Sequence, residues 1–187
     1  DTSDEIDLLS PYAVDKYTTE LFGKMAHQTY HLPNIALRFF NVYGERQNPT
    51  NKYSGVISVF IDQMLNDKKV IIYGGFQTRD FIYIKDVVAS ISSSINTVFD
   101  KNISERINVL TGQSTSIDHL FKVIAKIINY QRDPEYSDLL IGDPTQSEGT
   151  TDKMKDILSL NPQHFISLEN GLLKTIQWFK QCEKKQI

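Results

Sequence analysis

Tyr12 and Lys16 stand four residues apart, directly after Ser10 and Pro11, in the stretch SPYAVDKYTTELFGKM. Four residues on a helix is about one turn, so both side chains would leave the same face. A phenol has an unperturbed pKa of about 10 and is a poor base at neutral pH, but an ammonium held close favours its ionised form. Such a tyrosine could take the proton of a hydroxyl while hydride leaves the same carbon for a nicotinamide ring. The spacing alone is not specific. In a chain with nine tyrosines, a surface tyrosine beside a surface lysine satisfies it equally well.

The elements that would hold such a pair alternate in type. Leu21, Phe22, Met25, Ala26 and Tyr30 recur at helical spacing and predict a helix from about 12 to 31, ended by Pro33. NIALRFFNVYG reads as one buried strand closed by Gly44, followed by the polar loop ERQNPTNKYSG. Residues 55–66, with Val56, Val59, Phe60 and Met64 on one side, predict an amphipathic helix. VIIYG and DFIYI predict two short strands about a Gly-Gly turn, and Asp86 is placed to cap a helix from Val87 to about Phe99. RINVLTG predicts another strand and STSIDHLFKVIAKIINY a helix opened by a Ser/Thr cap. After an irregular segment, 131–149, two helices follow at about 152–159 and 168–184. This alternation is the habit of an α/β protein with a largely parallel sheet.

Composition narrows the function classes. Twenty basic against twenty-three acidic residues give a net charge of −3 without a long run of either sign, so no general attraction to nucleic acid or anionic membrane is expected. The apolar runs are far shorter than the ~18 residues of a membrane span. A single cysteine, Cys182, and no recognisable signal peptide suggest a reducing, cytoplasmic setting. His27, His31, His119 and His164 show no metal-ligand spacing, so no metal site is expected. The length suits one ordinary domain.

Four segments, SPYAVDKYTTELF, LRFFNVYGERQNP, YSGVISVFID and QTRDFIYIKDVV, occur in the order and at about the distances found in extended short-chain dehydrogenase/reductases. The chain resembles the NAD-dependent epimerase/dehydratase family, and within it the UDP-glucose and UDP-N-acetylglucosamine 4-epimerase branch. The likeness is clearest from Ser10 to Val88 and thins out beyond Gly112. It implies the end of a Rossmann-type NAD-binding sheet joined to a small nucleotide-sugar-binding α/β region. It also implies bound NAD, a UDP-sugar substrate and a homodimer in the full-length protein.

By the resemblance, Tyr12 is the acid or base at the sugar 4-hydroxyl, and Lys16 lowers its pKa and bonds the nicotinamide ribose. Phe40 would lie beside the nicotinamide. Asn41 and Arg79 would hold the sugar diphosphate, Tyr73 and Val56 the uracil, with Asp143 also on the substrate side. From the residues alone, Phe39, Phe40 and Val56 could be ordinary core, and Arg79 could pair with Asp80 or another carboxylate. An amide such as Asn41 at the end of an apolar strand needs a partner, and a ligand is one way to supply it.

Four departures bear on this reading. Leu140 and Ile141 precede Gly142 and Asp143 where the family commonly has a second phosphate-binding arginine. The turn Gly74-Gly75-Phe76 is shortened relative to the family's usual Gly-Asp-Gly. No glycine-rich cofactor turn occurs anywhere in the 187 residues, and nothing in Asp1 to Ser10 clearly supplies the Ser/Thr that shares the substrate hydroxyl. The expectation is therefore the C-terminal part of a longer enzyme, inactive alone, with Leu21 and Met25 exposed. A nucleotide-sugar 4,6-dehydratase or decarboxylase of the same superfamily, or a non-catalytic binding module, are the alternatives.

Overall fold

The computed structural model describes residues 10–51, 54–140 and 142–183, so the acidic lead-in before Ser10 and Ile141 lie outside the described residues. The first helix, α1, spans Pro11–Tyr30. Its start follows from the sequence: the Ser10 hydroxyl accepts the Ala13 N–H at 3.1 Å, and Pro11 in the first turn has no N–H to satisfy. It closes at His31, in the left-handed conformation with φ of 56°.

The run read as one strand is two. β1 (Asn34–Phe39) pairs in parallel with β5 (Ser104–Val109), whereas β2 (Asn41–Tyr43) pairs in parallel with β4 (Thr78–Tyr83). Phe40 is the crossing point: its N–H donates to Val109 O at 3.1 Å, completing the first ladder, and Asn41 then falls opposite Phe81 in the second. An apolar run cannot announce such a change of partner, because both halves are extended and both need cover.

Two further strands differ from expectation. β6 (Ser114–Ser116), read as the start of a helix, runs antiparallel to the beginning of β4. β7 (Glu135–Ser137), in the stretch read as irregular, pairs in parallel with β3 (Ile71–Tyr73). Each is three residues long, below the length at which alternation is visible. The helices α2 (Val56–Leu65), α3 (Ile84–Lys101), α4 (Ile117–Ile128), α5 (Asp152–Leu158) and α6 (Leu168–Glu183) complete the α/β fold. None of the described helices is long and apolar enough to cross a membrane.

Two apolar clusters hold these layers. Ile57, Phe60, Ile61 and Met64 of α2 meet Leu120, Phe121 and Ile124 of α4 and Leu172, Ile176 and Phe179 of α6, with the Phe60 and Phe121 rings edge to face at 6.1 Å. Ile82, Val87, Ile107, Val109, Met154 and Leu158 form the second, beneath β1 and β5.

Asp86 does not cap α3. The helix starts directly out of β4, with Tyr83 in the cap position, and the Asp86 carboxylate instead accepts the Ile166 N–H at 3.0 Å. Burial pushes its carboxyl above the ordinary range, against that bond. The rest of α3 is inverted relative to a surface helix: Val87, Ser90 and Ser94 are buried while Val88, Ile91, Ile95 and Phe99 are exposed. α1 likewise buries none of its residues and exposes Val14, Leu21, Phe22 and Met25.

Asp80 joins the two parallel pairs. Its side chain is 1% exposed; Oδ1 accepts the Thr111 N–H and hydroxyl at 2.9 and 3.0 Å, and Oδ2 accepts the N–H groups of Gly112 and Gln113 at 2.7 and 3.0 Å. Burial raises its carboxyl from the ordinary value and these donors pull the other way. Two donors on each oxygen is the pattern an ionised carboxylate satisfies. Asp80→Asn turns an NH2 group toward one pair of donors. It is expected to destabilise the chain by about 3 kcal/mol, from lost charge-assisted bonds and stranded donors. Urea unfolding of the two proteins measures this, and a difference below about 1 kcal/mol would contradict it.

Candidate active site

Tyr12 occupies the first turn of α1 and is 73% exposed. The Lys16 ammonium lies 5.4 Å from the centre of the Tyr12 ring and 3.1 Å from Asp15 Oδ2. The geometry thus brings the two residues together on one helical face, with the phenol open to a ligand.

Their height is set by how α1 lies on the sheet. Asn34 Nδ2 donates to Gly23 O at 2.8 Å, which puts Gly23 level with the start of β1. Eleven helical residues advance about 16 Å and five strand residues about the same distance. The chain reverses at His31, so Tyr12 stands level with Phe39 and Phe40, at the carboxyl end of β1. That is the end of a parallel strand at which α/β proteins bind ligands.

The substrate-side residues gather around β4. Arg79 is 9% exposed; its Nη1 donates to Thr78 O at 2.8 Å and its Nη2 pairs with Asp143 Oδ1. Its carboxylate partner is therefore Asp143, while Asp80 is committed to the 111–113 turn. Two residues expected to serve the substrate separately are bonded to each other. Arg79 has five N–H donors, and these bonds engage only two nitrogens.

Asn41 has a protein partner: Nδ2 donates to Asp80 O at 3.2 Å. Phe40 is half-buried at the crossing between the ladders. Val56 opens α2, where Gly55 offers no side-chain cap, and it packs partly against the larger core. Tyr73 ends β3 and is 41% exposed. Leu140, where the family commonly has arginine nearby, is exposed, as is Phe76.

The turn after Tyr73 is locked by a residue that the sequence did not single out. Gln77, buried, accepts the Gly75 N–H at 2.7 Å and donates to Tyr73 O at 2.6 Å. Gly75 has φ of 96°, and a Cβ there would meet Asp118 Oδ1 at 2.5 Å, so only glycine fits. Asp118 in turn accepts the Tyr136 hydroxyl at 3.0 Å.

Two other tyrosines, Tyr43 and Tyr83, are buried. Burial, then Asp86, raises the Tyr43 phenol well above its ordinary value. Burial and the bond it donates to Glu45 Oε1 at 2.5 Å do the same for Tyr83. Both are buried and stay protonated, which makes them structural donors rather than bases. Glu20 and Arg38 were also missed in the sequence. The signal available was spacing, since Glu20 continues the interval of four from Tyr12 through Lys16.

Comparison with known proteins bears on the family and the fold. Residues 1–109 match the model of the NAD dependent epimerase/dehydratase family. A UDP-glucose 4-epimerase of Mycolicibacterium smegmatis is 30% identical over 91% of this chain and 53% of its own length. The solved UDP-N-acetylglucosamine 4-epimerase of Methanobrevibacter ruminantium M1, in complex with UDP-N-acetylmuramic acid, superposes with a TM-score of 0.88. It is 34% identical over 97% of this chain and 57% of its own. The UDP-glucose 4-epimerase of Thermotoga maritima, with UDP-glucose, gives 0.86 at 31% identity, over 97% and 60%. The chain thus spans somewhat more than half the length of these relatives. With the family model covering both the β1–β5 and β2–β4 ladders and the α/β fold shared at this level, the chain belongs to the NAD dependent epimerase/dehydratase family.

Proposed function

We propose that this chain is the substrate-binding part of an NAD-dependent UDP-sugar 4-epimerase, with a glycine-rich NAD-binding half supplied by residues that precede it. The observation that carries the reading is the Lys16 ammonium 5.4 Å from the Tyr12 ring, at the carboxyl end of β1 and in a chain of this family. The fit to NAD is partial. Tyr12, Lys16 and Phe40 suit the nicotinamide end, since an exposed phenol, an ammonium and an aromatic ring stand at one level there. For the pyrophosphate the chain has no glycine-rich turn of its own.

NAD, when bound, supplies a hydride acceptor and donor. Tyr12 takes the proton from the sugar 4-hydroxyl as that carbon is oxidised, and returns it after the sugar has turned over. Lys16, beside the Tyr12 ring, bonds the nicotinamide ribose. Arg79 and Asn41 hold the diphosphate, with Asp143 fixing the plane of the guanidinium. Tyr73 and Val56 hold the base. Anchoring the nucleotide while the hexose stays loose is what allows inversion.

The exposed apolar stripe of α1 supports a homodimer of the full-length protein. The inverted face of α3 supports a larger sheet around this chain.

Four outcomes are expected. Full-length Tyr12→Phe should lose at least about 100-fold in kcat with KM for the UDP-sugar little changed; undiminished turnover would remove Tyr12 from the mechanism. NMR of the wild-type product should show a C4 epimer, whereas a 4-keto-6-deoxy sugar would make the protein a dehydratase. Arg79→Lys, which keeps the charge and loses the fork, should raise KM about tenfold with kcat little changed. The purified 187-residue chain should neither retain NAD nor epimerise, and stoichiometric NAD in it, read by absorbance after denaturation, would contradict the proposal.

A further inference from the structure

α1 carries the Tyr12–Lys16 pair, yet buries none of its twenty residues. Apolar packing therefore does little to hold it against sliding or rotation. Its contacts with the sheet are polar and fall at fixed places. Glu20 Oε1 and Oε2 accept Arg38 Nε–H and Nη2–H, both at 2.6 Å. Arg106 Nη1 approaches the same carboxylate at 3.8 Å. Gly23 O accepts the Asn34 amide at 2.8 Å, and a Cβ on Gly23 would meet Asn34 Oδ1 at 2.7 Å, so the helix is in close contact with β1 there. His27 Nε2 lies 3.3 Å from Asn102 O.

At about 100° per residue, Tyr12, Lys16, Glu20, Gly23 and His27 fall on one stripe about 80° wide. The pins and the reacting pair therefore share a single helical face. Val14, Leu21 and Met25 lie on the opposite side and are exposed. Within the stripe, Glu20 is the pin nearest the pair, one turn from Lys16 and two from Tyr12. Its side chain is 11% exposed on a helix that is otherwise open. A bidentate guanidinium–carboxylate pair fixes both distance and plane. As a stabiliser of the whole fold a pair this near the surface is weak, but as a restraint on one helix it is stiff.

We propose that Glu20, clamped by Arg38, is a positioning residue that sets the height and rotation at which Tyr12 and Lys16 meet the substrate hydroxyl. The assignment rests on the epimerase reading above. Diphosphate and base are held from β2, α2, β3 and β4, whereas this clamp joins α1 to β1 and β5. Loosening Glu20 therefore disturbs the reacting end and leaves nucleotide binding alone.

The test uses the full-length enzyme with its NAD, following UDP-sugar epimerisation alongside thermal unfolding. Glu20→Ala is expected to lower kcat about 30-fold, in line with the cost of an ångström-scale misplacement, with KM changed less than about twofold. Glu20→Gln keeps one acceptor for Arg38 and should recover kcat to within about fivefold of wild type. Should Glu20→Ala not yield folded protein, Glu20→Gln and Arg38→Lys carry the test, each expected to lower kcat several-fold with KM steady. Unchanged kcat in these variants overturns the proposal. So does a parallel loss of kcat, nucleotide affinity and thermal midpoint, which would make Glu20 merely structural. Tyr12→Phe, measured beside them, separates the two levels: if it is inactive while the Glu20 variants match wild type, only the positioning role fails. If Tyr12→Phe is fully active, the epimerase reading fails with it.

Discussion

The buried carboxylate of Asp80 is the constraint on which the arrangement of the two ladders depends. β4 belongs with β2 and β6, whereas the turn at 111–113 leaves the end of β5, which belongs with β1. Three amides and a hydroxyl from that turn converge on one side chain of β4. Removing the charge would leave buried N–H groups facing no acceptor, which is costlier than losing a surface ion pair. The same residue's carbonyl receives the Asn41 amide, and its neighbour Arg79 bonds Asp143. The polar groups proposed to hold a diphosphate are thus ordered around a side chain that is itself committed to the 111–113 turn.

The reacting end is held differently. Tyr12 and Lys16 sit on a helix without a buried side chain, fastened by hydrogen bonds and one forked ion pair. A packed helix resists displacement through many weak contacts, and a polar-pinned one through a few directional bonds. The first arrangement gives stability and the second gives register. The anchoring end, centred on a strand whose side chains from Arg79 to Tyr83 are all buried, has the first. The role proposed above for Tyr12, meeting a sugar hydroxyl, calls for the second.

Much of this was legible in the sequence because the signals were local. Ser10 and Pro11 opened α1 as their chemistry requires, and Ser116 capped α4. The failures have a common cause. The break at Phe40, the pairing of β7 with β3 and the commitment of Asp86 to Ile166 are all settled by residues distant in sequence. Asp86 is well placed for a helix cap by type and position, and only the amide eighty residues further on takes it away. Asp80 was noticed solely as a possible partner of Arg79, since a lone aspartate in an apolar strand carries no sign of which amides will surround it. The candidate site was legible through family motifs, but its supports, Glu20, Arg38 and Gln77, were not.

The two helices that flank β1 make a physical case about the sheet itself. α1 meets the pair β1–β5 through Asn34, Arg38 and Arg106, and the opposite face, with Ile35 and Leu37, packs on the cluster that includes Val87 of α3. On α3 the inner side is made of serines whose hydroxyls bond backbone carbonyls, while the aliphatic stripe and Phe99 point outward. Leaving four such side chains in water forgoes on the order of 1.5 kcal/mol or more apiece compared with burial, and α1 repeats the pattern with Val14, Leu21, Phe22 and Met25. β1 meanwhile has one neighbour among the described strands, β5, although parallel sheets are ordinarily covered on both faces and extend over several strands. Strands continuing the sheet past β1, with helices over the aliphatic stripe of α3, would resolve the open edge and that stripe together.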